Sequence, residues 1–184
     1  VPGNELHRLV DRLSAVLRAD LREVGTRHGL KLAQVEALTY LAMANRYSDT
    51  PIGLTEYLGV TKGTVSQTLI ALEKKGFVDK VPDERDRRIV HCHLTAAGKA
   101  VAREAMPAGA LRQLDDDSCA EAAAALRTLL GQVQRANEGR AFGVCETCAH
   151  FRREARGFRC GLTHEPLTRP ESLQLCREHT GDAV

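Results

Sequence analysis

Between Pro51 and Leu94 the hydrophobic period of the sequence changes from that of two successive helices to that of a strand pair, and this succession restricts the fold more than any other feature. A short helical stretch, about 52–58, runs into the tight turn Gly59-Val60. Thr61 then stands where a helix N-cap belongs, and the next helix runs to about Lys75 with Gly76 as its stop. Leu54 and Leu58 face Val65, Leu69 and Leu72, which recur at i, i+4 and i+7. Short helix, tight turn and longer helix are the parts of a helix-turn-helix. The register leaves Lys62, Thr64, Ser66 and Gln67 on the outer face near the start of the second helix. Such side chains reach base edges and phosphates, although a merely solvated polar face has the same pattern.

The period then falls to two. Phe77–Val81 alternates, Pro82–Arg87 is charged turn material, and Arg88–Leu94 alternates again. The result is a hairpin tipped by Arg85, Arg87 and Arg88. A hairpin directly after such a helix is a wing, and arginine at its tip suits the negative potential of a narrow minor groove. Asp86, set among these arginines, reads as an intramolecular partner that fixes an arginine's direction. Cys92 falls on the inward side of its strand and reads as a buried small apolar residue. Thr95 caps the helix that follows.

Upstream, Leu6, Leu9, Val10, Leu13, Val16, Leu17, Leu21 and Val24 form one stripe on a helix over about 4–28. That stripe packs within its own domain or against a second copy, and its length favours the second copy. Another helix covers about 33–45. Beyond Gly98 a helix runs to Met106, interrupted by Pro107 and Gly109. Ser118 and Glu121 have capping-box spacing before a helix over Ala122–Gln134, whose apolar side is Leu126, Leu129, Leu130 and Val133. Cys119 in its first turn reads as an inert thiol.

Composition bounds the function. A net charge of +2 gives no global attraction to nucleic acid, so DNA binding must rest on a local basic patch. Aromatics at 4% and the lack of Trp suit a helical protein better than a sandwich or barrel. No apolar run approaches the roughly 18 residues of a membrane span. Val1–Glu5 lacks the form of a signal peptide, so a cytoplasmic protein is expected. In a reducing compartment the six Cys read as metal or redox chemistry rather than disulfides.

Residues Leu54–Gly98 resemble the winged helix-turn-helix of MarR regulators. The resemblance lies in Leu72-Glu73, Gly76-Phe77-Val78, Asp86 with Arg88, and Leu94-Thr95 with Gly98; Leu32, Gln34, Leu38 and Leu41 upstream also fit. It covers about residues 4–138. It implies a homodimer with interleaved first and last helices, two wings astride double-stranded DNA, and a pseudo-palindromic operator. It makes Lys62, Thr64, Ser66 and Gln67 the major-groove candidates and Arg88 the minor-groove residue. It also implies repression that a small-molecule ligand or cysteine oxidation releases.

The tail departs from that pattern. It reads Cys145-x2-Cys148-x11-Cys160-x15-Cys176, with few large apolar groups among many arginines. So little core calls for a metal constraint. One solution is zinc, using Cys145, Cys148, Cys176 and His179 and leaving Cys160 spare. The other is an iron–sulfur cluster held by Cys145, Cys148, Cys160 and Cys176. The expectation adopted is a [4Fe-4S] cluster, with zinc as the alternative and His150, His164 and His179 at the surface or behind the ligands. Cys145-x2-Cys148 lacks the strand–helix unit of a thiol oxidoreductase, so no enzyme is expected.

The fold class is therefore mainly α with a small β-hairpin wing. A winged helix-turn-helix and dimerisation domain spans 1–138, and a Cys-rich metal-binding extension spans 139–184. The centre is expected near the dimerisation helices, modulating DNA affinity as a redox sensor. The alternative is a structural zinc site in a repressor that answers to a small organic effector.

Overall fold

A computed structural model describes residues 2–106, 109–136, 141–155 and 157–181. The expected breaks at Pro107 and at the 138/139 boundary lie outside the described residues, as do Arg140 and Arg156.

The head follows the sequence closely. Its elements are α1 (Pro2–Arg27), α2 (Leu32–Met43), α3 (Pro51–Leu58), α4 (Lys62–Lys74), the hairpin β1 (Val78–Pro82) and β2 (Val90–Leu94), and α5 (Ala96–Ala105). The centre is α2, which packs on α1, α4, α5 and β2. Its Val35, Ala37, Leu38 and Tyr40 have no exposed surface, as expected for a helix packed against several neighbours. Leu54, Val65, Leu69, Leu72, Val78 and Val101 close the same core. The caps are where the residues demand them: Thr50, Thr61 and Thr95 accept from the amides of Gly53, Thr64 and Gly98. Gly59 ends α3 at φ 64°, a left-handed conformation that makes the turn into α4 tight.

Gly98 has a packing reason rather than a dihedral one. A Cβ there would run into the Phe77 carbonyl and approach Leu94 Cδ2 at 3.2 Å. The Thr95-x-x-Gly98 signature thus lets α5 sit against the start of the wing. Gly98→Ala is expected to destabilise the fold by about 1–3 kcal/mol, the usual range for overpacking. Urea unfolding monitored by circular dichroism would show this as a lower midpoint at unchanged slope.

Next come a 3-10 turn (Gly109–Gln113) and α6 (Asp116–Ala136). Here the expected cap is corrected. The cap is Asp115, which accepts from the Ser118 amide at 2.8 Å and from the Ser118 hydroxyl at 2.7 Å. A carboxylate at a helix N-terminus gains from the helix dipole as well as the hydrogen bond, so it displaces the serine from that role.

The tail consists of short elements: β3 (Gly143–Val144), β4 (Phe151–Glu154), β5 (Gly157–Cys160), β6 (Pro166–Leu167), α7 (Arg169–Ser172) and β7 (Leu175–Cys176). β3 pairs with β7, and β4, β5 and β6 form a three-stranded antiparallel sheet. Among the described residues no helix is long and apolar enough to cross a membrane.

Candidate functional site

The outer face of α4 is built by its inner face. Val65, Leu69 and Leu72 are buried, so Lys62, Thr64, Ser66 and Gln67 project into solvent. Thr64 is also part of the cap, with its hydroxyl 2.9 Å from that of Thr61. Lys62, Thr64, Ser66 and Gln67 thus form the accessible polar set at the helix start. At the wing tip, Arg88 is 90% exposed in its side chain yet held in place. Its Nε donates to Asp86 Oδ1 at 2.9 Å and its Nη2 to Asp86 Oδ2 at 2.7 Å. The arginine pair lowers the Asp86 pKa, so Asp86 stays a carboxylate. The pairing expected from sequence is present, and it orients the guanidinium without burying it. Arg87 is exposed, and Arg85 has a different partner, described below.

The four tail cysteines come together. Cys145, Cys148, Cys160 and Cys176 line one small apolar cavity of about 50 Å³ with Tyr47, Phe151 and Leu167. Cys145 and Cys176 are buried. The interaction between these two thiols holds the Cys145 proton more tightly and lowers the Cys176 pKa. Asn45 Nδ2 donates to Cys145 Sγ at 3.1 Å, and the Thr180 amide donates to Cys148 Sγ at 3.4 Å. Cys92 stands apart in the head core, where burial raises its pKa to about 12. His179 is buried, but its Nε2 lies 3.1 Å from the Thr147 hydroxyl, and it does not line the cavity.

The location of this cavity departs from the expected one beside the dimerisation helices. The tail is seated on the loop between α2 and α3 and on the wing. Asn45 N–H donates to the Leu175 carbonyl at 2.9 Å, and the Arg177 amide donates to Ser48 Oγ at 2.9 Å. Arg177 forks onto Glu56 of α3 at 2.9 and 3.0 Å. Phe142 packs edge-on against Tyr57 and Tyr40, with centroids 5.2 and 6.3 Å away. Glu165 accepts from Arg85 of the wing at 2.7 Å and from the Tyr47 hydroxyl at 2.8 Å. Arg85 is therefore tied to the tail. These partners lie about a hundred residues apart in the chain, and no local pattern links them.

A second polar knot was not read from the sequence. His91 on β2 lies between two carboxylates, with Nδ1 at 2.6 Å from Asp49 and Nε2 at 3.2 Å from Asp83. Burial disfavours its charged form, but the hydrogen bonds and charges of these acids outweigh that and raise its pKa. His93, two residues on and so on the same strand face, brings Nε2 to 3.4 Å from Asp49. The one available signal was the His-x-His spacing within an alternating strand.

Fold and exposed face together define a winged helix-turn-helix protein. Residues 28–89 match the model of the MarR family. The chain is 26% identical to wild-type MarR (apo form) from E. coli, over 68% of this chain and 96% of that one, with a TM-score of 0.54. It is 23% identical to Streptococcus pneumoniae FabT in complex with DNA, over 73% and 99%, with a TM-score of 0.55. It is 14% identical to CouR from Rhodococcus jostii RHA1 bound to p-coumaroyl-CoA, over 70% and 94%, with a TM-score of 0.55. No curated protein matches the chain. The winged helix-turn-helix fold of this chain is similar to that of the MarR proteins, and residues 28–89 carry the family likeness.

Proposed function

We propose that this chain is a homodimeric, sequence-specific DNA-binding transcriptional regulator, a repressor rather than an enzyme, whose affinity for its operator is set in part by a centre bound to the four tail cysteines. The observation that carries the reading is the pairing of an exposed polar α4 start with an arginine clipped outward at the wing tip. One face thus offers base-edge donors and acceptors, and the other a cation shaped for a narrow groove. FabT, of like fold, is seen in complex with DNA. Lys62, Arg87 and Arg88 contact phosphates or the minor groove in this reading, while Thr64, Ser66 and Gln67 lie along base edges. Gln67→Ala is expected to cost about 1–3 kcal/mol on the preferred duplex and to relax specificity at one position per half-site. Lys62→Ala should weaken binding on all duplexes alike and lower the salt dependence by about one unit. Fluorescence anisotropy against salt separates the two. Equal, sequence-independent losses for both variants would refute base readout by α4.

The cysteine cavity fits a thiolate-held centre. Tetrahedral zinc, with Zn–S near 2.3 Å, needs its sulfurs about 3.8 Å apart. Four thiols around one cavity equally suit a [4Fe-4S] cluster, in which each thiolate binds a different iron, and this is the centre proposed. Such a cluster would supply one-electron redox chemistry. The chain's own contribution is to keep the pocket dry with Phe151 and Leu167, and to join it to the reading head through Asn45, Ser48 and Glu165. Anaerobic purification with iron, sulfide and zinc analysis tests this. A brown protein with matched iron and sulfide supports the cluster, and a colourless protein with one zinc per chain overturns it.

A second reading has an observation of its own. An open cleft of about 570 Å³ lies between α2, β2 and α5, lined by Leu41, Met43, Leu94, Ala102 and Met106. CouR, of like fold, is seen with p-coumaroyl-CoA bound. A small organic effector in this cleft, beside a structural zinc site, is the alternative route to release of DNA.

A further inference from the structure

We propose that Asp49, His91 and His93 form a binding site for a divalent transition-metal ion of the zinc class, separate from the cysteine cavity. The ligand atoms of these three residues all lie within 4.8 Å of one another, and among the described residues this is the group that does so. Asp49 Oδ1 is 2.6 Å from His91 Nδ1, and Asp49 Oδ2 is 3.4 Å from His93 Nε2. Ligands about 2.0–2.2 Å from a tetrahedral ion stand roughly 3.4 Å apart, so little movement is needed to admit one.

Three further features point to a metal rather than to a chance hydrogen-bond cluster. First, His91 has an outer partner. Asp83 lies 3.2 Å from its Nε2 and takes the role of the carboxylate that orients a metal-bound imidazole, leaving Nδ1 aimed at Asp49. Second, the backbone fixes the ligands from both sides. The Cys92 amide, between the two histidines, donates to the Asp49 carbonyl at 2.6 Å. Third, the site has an entry path: His93 is 55% exposed, and all three residues line an open cleft of about 660 Å³ together with Asp83. Two imidazoles and one carboxylate select zinc, cobalt, nickel or copper over magnesium and calcium, which take oxygen ligands. Three protein ligands leave a fourth position for water. A bound ion joins the loop ahead of α3 to β2 and so fixes the base of the wing.

The test uses the full chain with its tail cysteines intact. Cobalt(II) and zinc(II) are added to the protein as purified, followed by absorption spectroscopy and calorimetry. The expected result is one further equivalent per chain, with cobalt bands of a nitrogen–oxygen site and no thiolate-to-cobalt charge transfer. His93→Ala should weaken this equivalent at least about tenfold, and Asp83→Asn by about 10–100-fold. Because His93 is exposed, His93→Ala should keep the metal-free melting temperature of the parent, which separates loss of a ligand from loss of fold. The proposal is overturned if no further equivalent binds, if the added ion carries a thiolate signature, or if His93→Ala binds it as tightly as the parent.

Discussion

A Leu9→Glu/Leu13→Glu double variant is expected to be monomeric and to bind the preferred duplex about 100-fold or more weaker than the parent, the scale of losing a second tethered contact. The reason lies on the surface of α1. Leu6, Leu9, Val10 and Leu13 are 41–62% exposed along one stripe, and α6 adds Leu126, Leu130 and Val133 at 44–50%. Two long helices with such faces need a partner surface, since burying each leucine yields about 1.5–3 kcal/mol. In the proposed homodimer a second copy of the chain would supply it, with the symmetry that two reading heads require. Light scattering gives the mass and anisotropy gives the affinity. Unchanged helical content by circular dichroism would show that the head still folds, because these positions lie outside its buried core. A variant that stayed dimeric, or a monomer that bound DNA as tightly as the parent, would contradict the reading.

Cys176→Ser is expected to abolish the metal content of the tail and to shift operator affinity by about 5–150-fold, the range of a coupling energy between two sites. Cys176 is buried at the junction of tail and head. It pairs in β7 with Gly143, and its neighbour Arg177 holds Ser48 and forks onto Glu56 of α3. Loss of the centre should loosen this seat and free Arg85 of the wing from Glu165. Limited proteolysis should then cut the tail while the head survives. Operator affinity equal to that of the parent, in every metal and redox state, would show the centre to be uncoupled from DNA.

The head was legible because its information is local. Helix periods, the threonine caps and the change to a two-residue period fix α1 to α5 and the wing within a residue or two. Even the Asp86–Arg88 pair follows from a spacing of two on an exposed tip. Gly98 was visible as a signature, but its reason, the approach of the Phe77 carbonyl, lies in packing. What the sequence did not reveal is held by polar contacts across long separations. Asn45 meets Cys145, Arg85 meets Glu165, and Asp49 meets His91 and His93, and a lone Asn, Glu or Asp in a loop carries no periodic signal. That is why the cysteine cavity was expected by the dimerisation helices and is found on the α2–α3 loop. The cap at α6 was misplaced for a smaller reason: Ser118 has the spacing, but Asp115 has the charge.

Selection of bound duplexes from a random pool, with the parent and Gln67→Ala side by side, tests the central claim most directly. The predicted result for the parent is a two-fold symmetric motif with half-site centres about 34 Å apart, one helical turn. The variant should lose preference at one symmetry-related position in each half while keeping the spacing. A motif without two-fold symmetry, or one identical for the two proteins, would contradict the placement of α4 in the groove of each half-site.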